Sequence, residues 1–171
     1  IANVPFTVVS DIMERTDTCD LADVLLPAAG WGEKDGTVTN SERRISRQRA
    51  FLPVPCAARP DWQIICDVAR EMGHGDAFDF DNPASVFREY AALSASLAHF
   101  GRDFDISGLA EISDQDYAAF APTQWPIPKQ NDAGGRFFEG GGFFHPDGRA
   151  RMLPVSAPLA QVANGYQLNT G

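Results

Sequence analysis

The sequence has no apolar run that approaches the roughly 20 residues a helix needs to span a bilayer. It also lacks a positive charge balance, because its 171 residues carry a formal net charge of −9 at pH 7. Nucleic acids and acidic membranes are polyanions and would repel such a chain. We therefore expect neither nucleic acid nor a membrane among the partners of this protein.

Cysteine and histidine are also scarce. The three cysteines, Cys19, Cys56 and Cys66, are odd in number, widely spaced and without a C-x-x-C pair. They predict neither a disulfide framework nor a cysteine metal site, and we interpret them as inert core thiols in a reducing compartment. The three histidines show no ligand spacing. The sequence thus predicts no metal ligand and no catalytic residue in this chain.

The composition that remains is typical of an α/β protein. The chain is 44% hydrophobic, which at this length is enough for one core with a small second unit. Apolar, β-branched composition predicts a buried strand at residues 6–9 and, after a short helical turn at residues 16–22, a second strand at residues 24–26 that Pro27 closes. The alternating residues 36–46 predict either a hairpin or an extended loop.

Helices are predicted in the middle of the chain. Apolar residues at helical spacing indicate a helix over residues 61–72. A second helix is expected to begin near Pro83, because Asn82 or Asp81 can cap it and proline suits its first turn.

Turn signals follow these helices. Ser113 with Asp116 resembles a capping box and predicts a third, shorter helix. Residues 130–142 are rich in Gly, Asn and Asp, and residues 139–142 predict a turn between two aromatic strands at residues 136–138 and 143–145. A further strand is expected over residues 149–155.

Polar residues follow two predicted strand ends, which is the layout of a ligand crevice. The stretch reads PFTVVSD and then TDTCDLADVLLPAAGWGEKDGTVTNSERR. It resembles the third domain of the molybdopterin-dinucleotide oxidoreductases, the dimethyl sulfoxide reductase superfamily, with a strand ending in Ser-Asp, a T-x-T…ADVVLP segment and W-x-E-K-x-G-T-x-x-N. The resemblance implies an α/β fold: part of a Rossmann-like molybdopterin-dinucleotide-binding domain, with a helical segment and a β-hairpin that leads into a β-barrel-like domain. In the Rossmann-like sheet, the strands at residues 6–9 and 24–26 are expected to be parallel neighbours or near neighbours.

The same resemblance divides the chain. Residues 1–75 are expected to form the C-terminal part of the Rossmann-like domain, residues 76–130 a helical segment, and residues 131–171 a β-hairpin with the start of the last cofactor-binding domain. The sequence begins at Ile1 and ends inside an L-N-T-G segment. We therefore expect a fragment of a longer catalytic subunit, without the cysteine motif for an iron–sulfur cluster and without the ligand to molybdenum.

Ser10 and Asp11 are the first candidate cofactor-binding residues. A carboxylate at a strand end can accept two parallel hydrogen bonds from the N1–H and the exocyclic amine of guanine, and such charged bidentate bonds are strong. Ser10 offers a hydroxyl and a backbone amide to the same ligand. The alternative is an Asx turn that involves only neighbouring backbone. Within the resemblance, cofactor contact is the favoured interpretation.

Lys34 and Asp61 are the next candidates. The superfamily pattern places a lysine or histidine at Lys34 in contact with the dinucleotide, where an ammonium can bind ribose or phosphate oxygens. The alternative is a solvated lysine paired with Glu33 or Asp35. For Asp61, the resemblance to nitrate reductases implies a cofactor contact, whereas helix capping alone would also explain a carboxylate at this position.

Thr170 and Gly171 match the opening of the last cofactor-binding segment of the superfamily. A Thr-Gly turn lets backbone amides approach a phosphate or pterin closely. The arginine expected next is absent, so any contact here would be incomplete.

Within the superfamily, the segments EKDGTVTNSERRISRQRAFLPVP and RFFEGGGFFHPDGRARMLPV are most like the cytoplasmic assimilatory nitrate reductases. The resemblance implies molybdenum bis(molybdopterin guanine dinucleotide) in the complete subunit, an iron–sulfur cluster in the missing N-terminal part, and reduction of nitrate to nitrite. The expected partners are the remainder of the catalytic subunit and an electron-donor protein or domain. The expected location is cytoplasmic.

Three alternatives stay open. The first is a cytoplasmic formate dehydrogenase of the same superfamily, which would share the nucleotide-binding frame. The second is a cofactor-free homologue with a structural or electron-wiring role, although Ser10, Asp11, Lys34 and Asp61 argue against it. The third is a free-standing domain that binds partners.

Overall fold

The computed structural model describes residues 3–100, 103–129 and 136–156. Strand β1 (Val8–Asp11) runs parallel to strand β2 (Val24–Pro27), with Val8 opposite Val24 and Asp11 opposite Pro27. The predicted parallel pairing is confirmed. Strand β1 lies two residues later than predicted, because its pairing with β2 continues to Pro27. Val8 and its partner Val24 are exposed, so the expectation that the first strand is buried is wrong for this face.

The segment between these strands contains the short 3-10 turn Cys19–Leu21, within the helical turn predicted for residues 16–22. Cys19 is buried beneath it. The carboxylate of Asp23 accepts a hydrogen bond from the backbone amide of Thr7 at 2.7 Å. This bond fixes the entrance of β2 against the entrance of β1.

An antiparallel hairpin follows, so the first of the two alternatives for this region is confirmed. Strand β3 (Gly36–Thr39) pairs with strand β4 (Arg44–Gln48), and the two-residue strand β5 (Thr123–Gln124) extends the sheet on the other side of β4. The Asn40 side-chain oxygen closes the turn by accepting hydrogen bonds from the backbone amides of Glu42 and Arg44, both at 3.0 Å.

Helix α1 (Asp61–Glu71) confirms the prediction to within one residue. It begins directly after a parallel bridge between Ala28 and Arg59, and this bridge places the start of α1 beside the end of β2. The helix buries Cys66 and Ala69. Cys56, in the loop before the helix, is exposed, so the expectation of core thiols is wrong for this cysteine.

Two capped helices complete the first part of the chain. In helix α2 (Pro83–Ser94) the side-chain oxygen of Asn82 accepts a hydrogen bond from the Ser85 amide at 2.9 Å, so Asn82 is the cap. In helix α3 (Asp114–Ala119) the Ser113 hydroxyl accepts from the Asp116 amide at 3.0 Å. Both caps satisfy backbone donors that a helix start leaves unpaired.

The main core joins the hairpin to these helices. Ile45 of β4 and Phe87 of α2 are buried in one cluster with five other buried residues, Ala84, Ala91, Ile106, Tyr117 and Ile127. The hairpin is therefore anchored by helical side chains.

The chain divides into two compact units, Ile1–Gly135 and Arg136–Gly171. Within the described part of the second unit, residues 136–156, there is no strand. The aromatic strands expected at residues 136–138 and 143–145 and the strand expected at residues 149–155 are therefore wrong. Phe138, at a positive φ of 64°, stacks on Phe143 at 4.5 Å instead, so the aromatic residues cluster across turns.

Thr170 and Gly171 lie outside the described residues. None of the helices in the described part of the chain combines the length and the apolarity needed to cross a membrane. The fold shown is a mixed α/β arrangement.

Candidate functional site

Three chain segments meet at one edge of the parallel pair. The Ala28 amide donates to the Asp11 carbonyl at 3.0 Å, and the Arg59 amide donates to the Pro27 carbonyl at 3.1 Å. These bonds bring the ends of β1 and β2 beside the segment that enters α1. The carboxyl ends of parallel strands are where α/β proteins form ligand crevices.

Lys34 and Asp61 come into direct contact at this edge. The Lys34 ammonium lies 2.5 Å from the Asp61 carboxylate, and the two side chains are 24% and 53% exposed. The pair is therefore open to solvent, and an incoming ligand can reach it. Asp61 lies in the first turn of α1 without capping it by a side-chain hydrogen bond.

An exposed indole accompanies this pair. Trp31 is 67% exposed, and the Lys34 ammonium lies 5.5 Å from the centre of its ring. The loop that carries both residues begins with a hydrogen bond from the Gly30 amide to the Glu33 carboxylate at 2.7 Å. Sequence reasoning missed Trp31, although an aromatic residue next to a predicted cation in a loop is a usable signal.

These residues line a cavity of about 260 Å³. Its lining includes Trp31, Lys34, Gly36, Thr37, Gln48 and Asp61. An ammonium, a carboxylate and an aromatic face around one opening can bind an oxygen-rich ligand that carries a planar ring.

Asp11 makes contacts within its own loop. Its Oδ1 accepts a hydrogen bond from the Met13 amide at 2.9 Å, which is the Asx turn considered as the alternative. Its Oδ2 has only a weak contact with the Cys19 thiol at 3.9 Å. Ser10 is exposed, and its hydroxyl has no hydrogen bond within the described part of the chain.

The structure therefore brings two of the predicted site residues into contact and two more to the same edge. Lys34 and Asp61 form one pair, and Ser10 and Asp11 end the neighbouring strand. No hydrogen bond or ion pair links Asp11 to the pair among the described residues. A cofactor contact by any of them stays a prediction.

A second polar cluster lies further along α1. Asp67 binds both Arg59 and Arg70, the latter at 2.8 Å. The hydrogen bond from Arg59, followed by that from Arg70, lowers the pKa of the Asp67 carboxyl. Burial raises the pKa of the neighbouring Cys66 thiol. Among residues 3–100, 103–129 and 136–156, no group of histidine, cysteine, aspartate and glutamate has the arrangement of a metal site.

Comparison with known proteins shows which family the sequence of this chain matches. Residues 2–71 match the family model described as molybdopterin oxidoreductase. A nitrate reductase of Shewanella frigidimarina is 47% identical over 180 aligned positions, which cover 100% of this chain and 19% of that protein. A nitrate reductase of Klebsiella oxytoca is 46% identical over 156 positions, covering 91% of this chain and 18% of that protein.

A further relative has another activity in its name. The F420-dependent formate dehydrogenase 2 subunit alpha of Methanococcus maripaludis is 37% identical over 155 positions, which cover 91% of this chain and 21% of that protein. The chain spans about a fifth of the length of these curated relatives.

Proposed function

Because this chain belongs to the molybdopterin oxidoreductase family, we propose that it is the part of a longer catalytic subunit that binds the guanine dinucleotide end of a molybdenum cofactor. The observation that carries this proposal is the shared position of Asp11, Lys34 and Asp61 at the carboxyl edge of β1 and β2. A nucleotide bound across this edge would meet a carboxylate, an ammonium and the Trp31 ring.

The hydrogen-bonding capacity of Asp11 fits a guanine ring. Each carboxylate oxygen can accept about two hydrogen bonds, and Oδ1 uses one for the Met13 amide. Oδ1 can therefore accept one guanine N–H while the nearly free Oδ2 accepts the other. The Asx turn and the guanine contact are compatible on this count, and the turn would orient the carboxylate in advance.

Lys34 can serve the sugar and phosphate in a similar way. An ammonium has three N–H donors, and only one is needed for the bond to Asp61. The remaining donors can bind ribose or phosphate oxygens without loss of the ion pair. Asp61 would then orient the Lys34 amine, and it could also accept from a ribose hydroxyl.

The cofactor, when bound, supplies molybdenum and pterin for oxygen-atom transfer, whereas these residues bind and orient its nucleotide end. We infer that residues 1–75 form the C-terminal part of a Rossmann-like domain and that residues 131–171 begin the last cofactor-binding domain. In that domain Thr170 and Gly171 would approach the cofactor. The first of these assignments agrees with the parallel pairing of β1 and β2.

For the whole enzyme, we propose reduction of nitrate to nitrite in the cytoplasm. The complete subunit would contain an iron–sulfur cluster, and it would receive electrons from a donor protein or domain. The support is that relatives named nitrate reductase align with nearly the whole chain at the identities given above. Residues beyond those described here would supply the molybdenum ligand.

Formate oxidation is the second candidate, because a formate dehydrogenase subunit also aligns with most of the chain. The two activities separate in one assay of the complete subunit. Nitrate-dependent oxidation of reduced viologen supports the first, and formate-dependent reduction of oxidised viologen supports the second.

The cofactor role is tested by two substitutions of Asp11 in the complete subunit. Asp11→Asn keeps an oxygen that can accept from the Met13 amide, so the Asx turn survives, but it can no longer accept both guanine bonds. Asp11→Ala removes both functions. We expect either change to weaken cofactor binding by about 1.5–3 kcal/mol, the usual range for hydrogen bonds to charged groups.

The readout is molybdenum and acid-released GMP per polypeptide, together with the thermal midpoint. Asp17→Ala is the matched control, because Asp17 is exposed in the same loop and has no hydrogen bond within the described residues. Wild-type molybdenum and GMP contents in Asp11→Asn would refute the guanine assignment.

A further inference from the structure

Arg47 is a charged residue in a buried position. Its side chain is only 4% exposed, and its guanidinium carbon lies 3.8 Å from the ring centre of Tyr117 in α3. Its Nη2 binds the Asp35 carboxylate at 2.6 Å, and its Nη1 donates to the Gly36 carbonyl at 2.8 Å. Arg47 thus joins the residues that directly follow Lys34 to a helix far along the chain.

The next residue on β4 contacts the other end of the same loop. Gln48 donates from Nε2 to the Trp31 carbonyl at 2.5 Å. Two adjacent residues of β4 therefore bind both ends of the segment 31–36, which carries Lys34.

A contribution to stability does not by itself explain why the Arg47 guanidinium is buried. Moving a guanidinium out of water is costly, and an apolar residue of similar size often serves a core at least as well. The Arg47 Nε is buried without a hydrogen-bond partner within the described part of the chain, so hydrogen bonds do not fully offset the cost of burying the guanidinium. A buried ion pair does, however, set geometry, because a guanidinium binds a carboxylate and a carbonyl only in fixed directions.

We propose that Arg47 is a positioning residue for the nucleotide site. It binds Asp35 and Gly36 while it stacks on Tyr117, and in this way it fixes residues 31–36, the Lys34 loop. The Lys34 amine then points at Asp61 and the cavity. The link to a nucleotide rests on the proposed function, whereas the effect on Lys34 does not. Arg47 itself would not touch the ligand, since its side chain is buried and does not line the cavity.

The effect on Lys34 can be measured in the 171-residue chain by acetylating its amines with acetic anhydride. Lys34 and Lys129 are the two lysines of the sequence, and Lys129, which is largely exposed and paired with Glu111, is an internal reference. The quantity is the ratio of the acetylation rates of Lys34 and Lys129, obtained by peptide mass spectrometry. It reports the local environment of Lys34 and is insensitive to small losses of overall stability.

We expect Arg47→Gln and Asp35→Asn each to raise this ratio roughly two- to tenfold, which corresponds to typical couplings between contacting residues. Arg49→Gln is the matched control. Arg49 lies two residues further along, and its side chain donates to the Ala118 carbonyl of α3 at 2.7 Å without contacting the loop. Its removal should leave the ratio unchanged.

An unchanged ratio in folded Arg47→Gln and Asp35→Asn, or an equal rise in Arg49→Gln, would overturn the proposal. If Arg47→Gln does not fold, the outcome for Asp35→Asn decides, because Asp35 is exposed and its loss removes only the bond to Arg47.

Measurements of GMP content in the complete subunit distinguish a failure of this proposal from a failure of the proposed function. We expect Asp35→Asn to lower GMP content in the wild-type background and to add no further loss when Lys34 is already alanine. A raised acetylation ratio with unchanged GMP content would leave the positioning role intact and contradict the cofactor role of Lys34. Further GMP loss from Asp35→Asn in the Lys34→Ala background would show that Asp35 does not act through Lys34, and this too would overturn the proposal.

Discussion

Lys34 and Asp61 are 27 positions apart in sequence, yet their side chains form an ion pair of 2.5 Å at the mouth of the proposed nucleotide site. One comes from the loop after β2 and the other from the first turn of α1. The pair forms only when this loop and α1 lie in the right positions relative to each other, so a measurement of the pair tests those positions.

A double-mutant cycle measures this contact in the chain without ligand. Lys34→Ala, Asp61→Ala and the double variant should give a coupling of about 0.2–1 kcal/mol in urea unfolding, because partly exposed pairs are weakened by solvent. The coupling should fall as salt is added. A coupling indistinguishable from zero at low salt would mean that the pair does not persist in solution.

Ser94 bridges two buried segments. Its hydroxyl donates to the Ala91 carbonyl at 2.6 Å and accepts from the Ile106 amide at 2.9 Å. Ser94→Ala leaves a buried amide without a partner, so we expect a loss of about 1–3 kcal/mol in the free energy of unfolding. Ser96→Ala, which removes an exposed hydroxyl from the neighbouring turn, should cost less than about 0.5 kcal/mol. Equal losses would contradict the buried bridge.

Asp67 makes the stability depend on acid. Its pKa in the folded chain lies below the ordinary value of 3.8, chiefly through the hydrogen bond from Arg59. Its contribution is therefore present above pH 3.8 and is lost as the pH falls through the folded pKa. The thermal midpoint of wild type should exceed that of Asp67→Asn at pH 7, and the difference should shrink below pH 3.8. A constant difference across this range would disprove the linkage.

The cysteines should differ in reactivity. Cys56 is exposed, whereas Cys19 and Cys66 are buried, and burial raises the pKa of Cys66 and so reduces its reactive thiolate. At pH 8 one thiol should react rapidly with a disulfide reagent, and the other two should react only after urea is added. Cys56→Ser should abolish the rapid phase. More than one rapid thiol in the native chain would contradict the burial of Cys19 or Cys66.

The isolated chain should not reduce nitrate. Under the proposed function it holds the nucleotide end of the cofactor, and the molybdenum ligand and the cluster cysteines lie elsewhere. The purified 171-residue chain should therefore show no nitrate-dependent oxidation of reduced viologen above a buffer blank. The complete subunit measured in parallel is the positive control, and turnover by the isolated chain would contradict this division of roles.

Local features were predictable because their causes are local. Asn82 and Ser113 cap helices through amides three residues away, and α1 follows from apolar spacing over a few turns. The parallel pairing of β1 and β2 followed from the family resemblance. By contrast, β5 has only two residues and leaves no periodic signal.

Contacts between distant segments were not predictable in this way. The stacking of Arg47 on Tyr117 depends on how the hairpin packs against the helices, which no short window of sequence contains. In the second unit, the β propensity of the aromatic residues led to a wrong prediction of strands, because tertiary context overrides propensity. The positive φ of Phe138 bends the chain where a straight strand was expected.

Because of the register of β3 and β4, the length of the turn between them determines the positions of both a core residue and a residue that contacts the Lys34 loop. Thr37 lies opposite Arg47 and Thr39 opposite Ile45, so Ile45, in the core, and Arg47, which contacts the Lys34 loop, share one face of β4. One residue inserted in the turn between these strands would shift the register and turn both to the other face. In chimeras between relatives, residues 34–48 should therefore be exchanged as one block, with crossover points outside the hairpin.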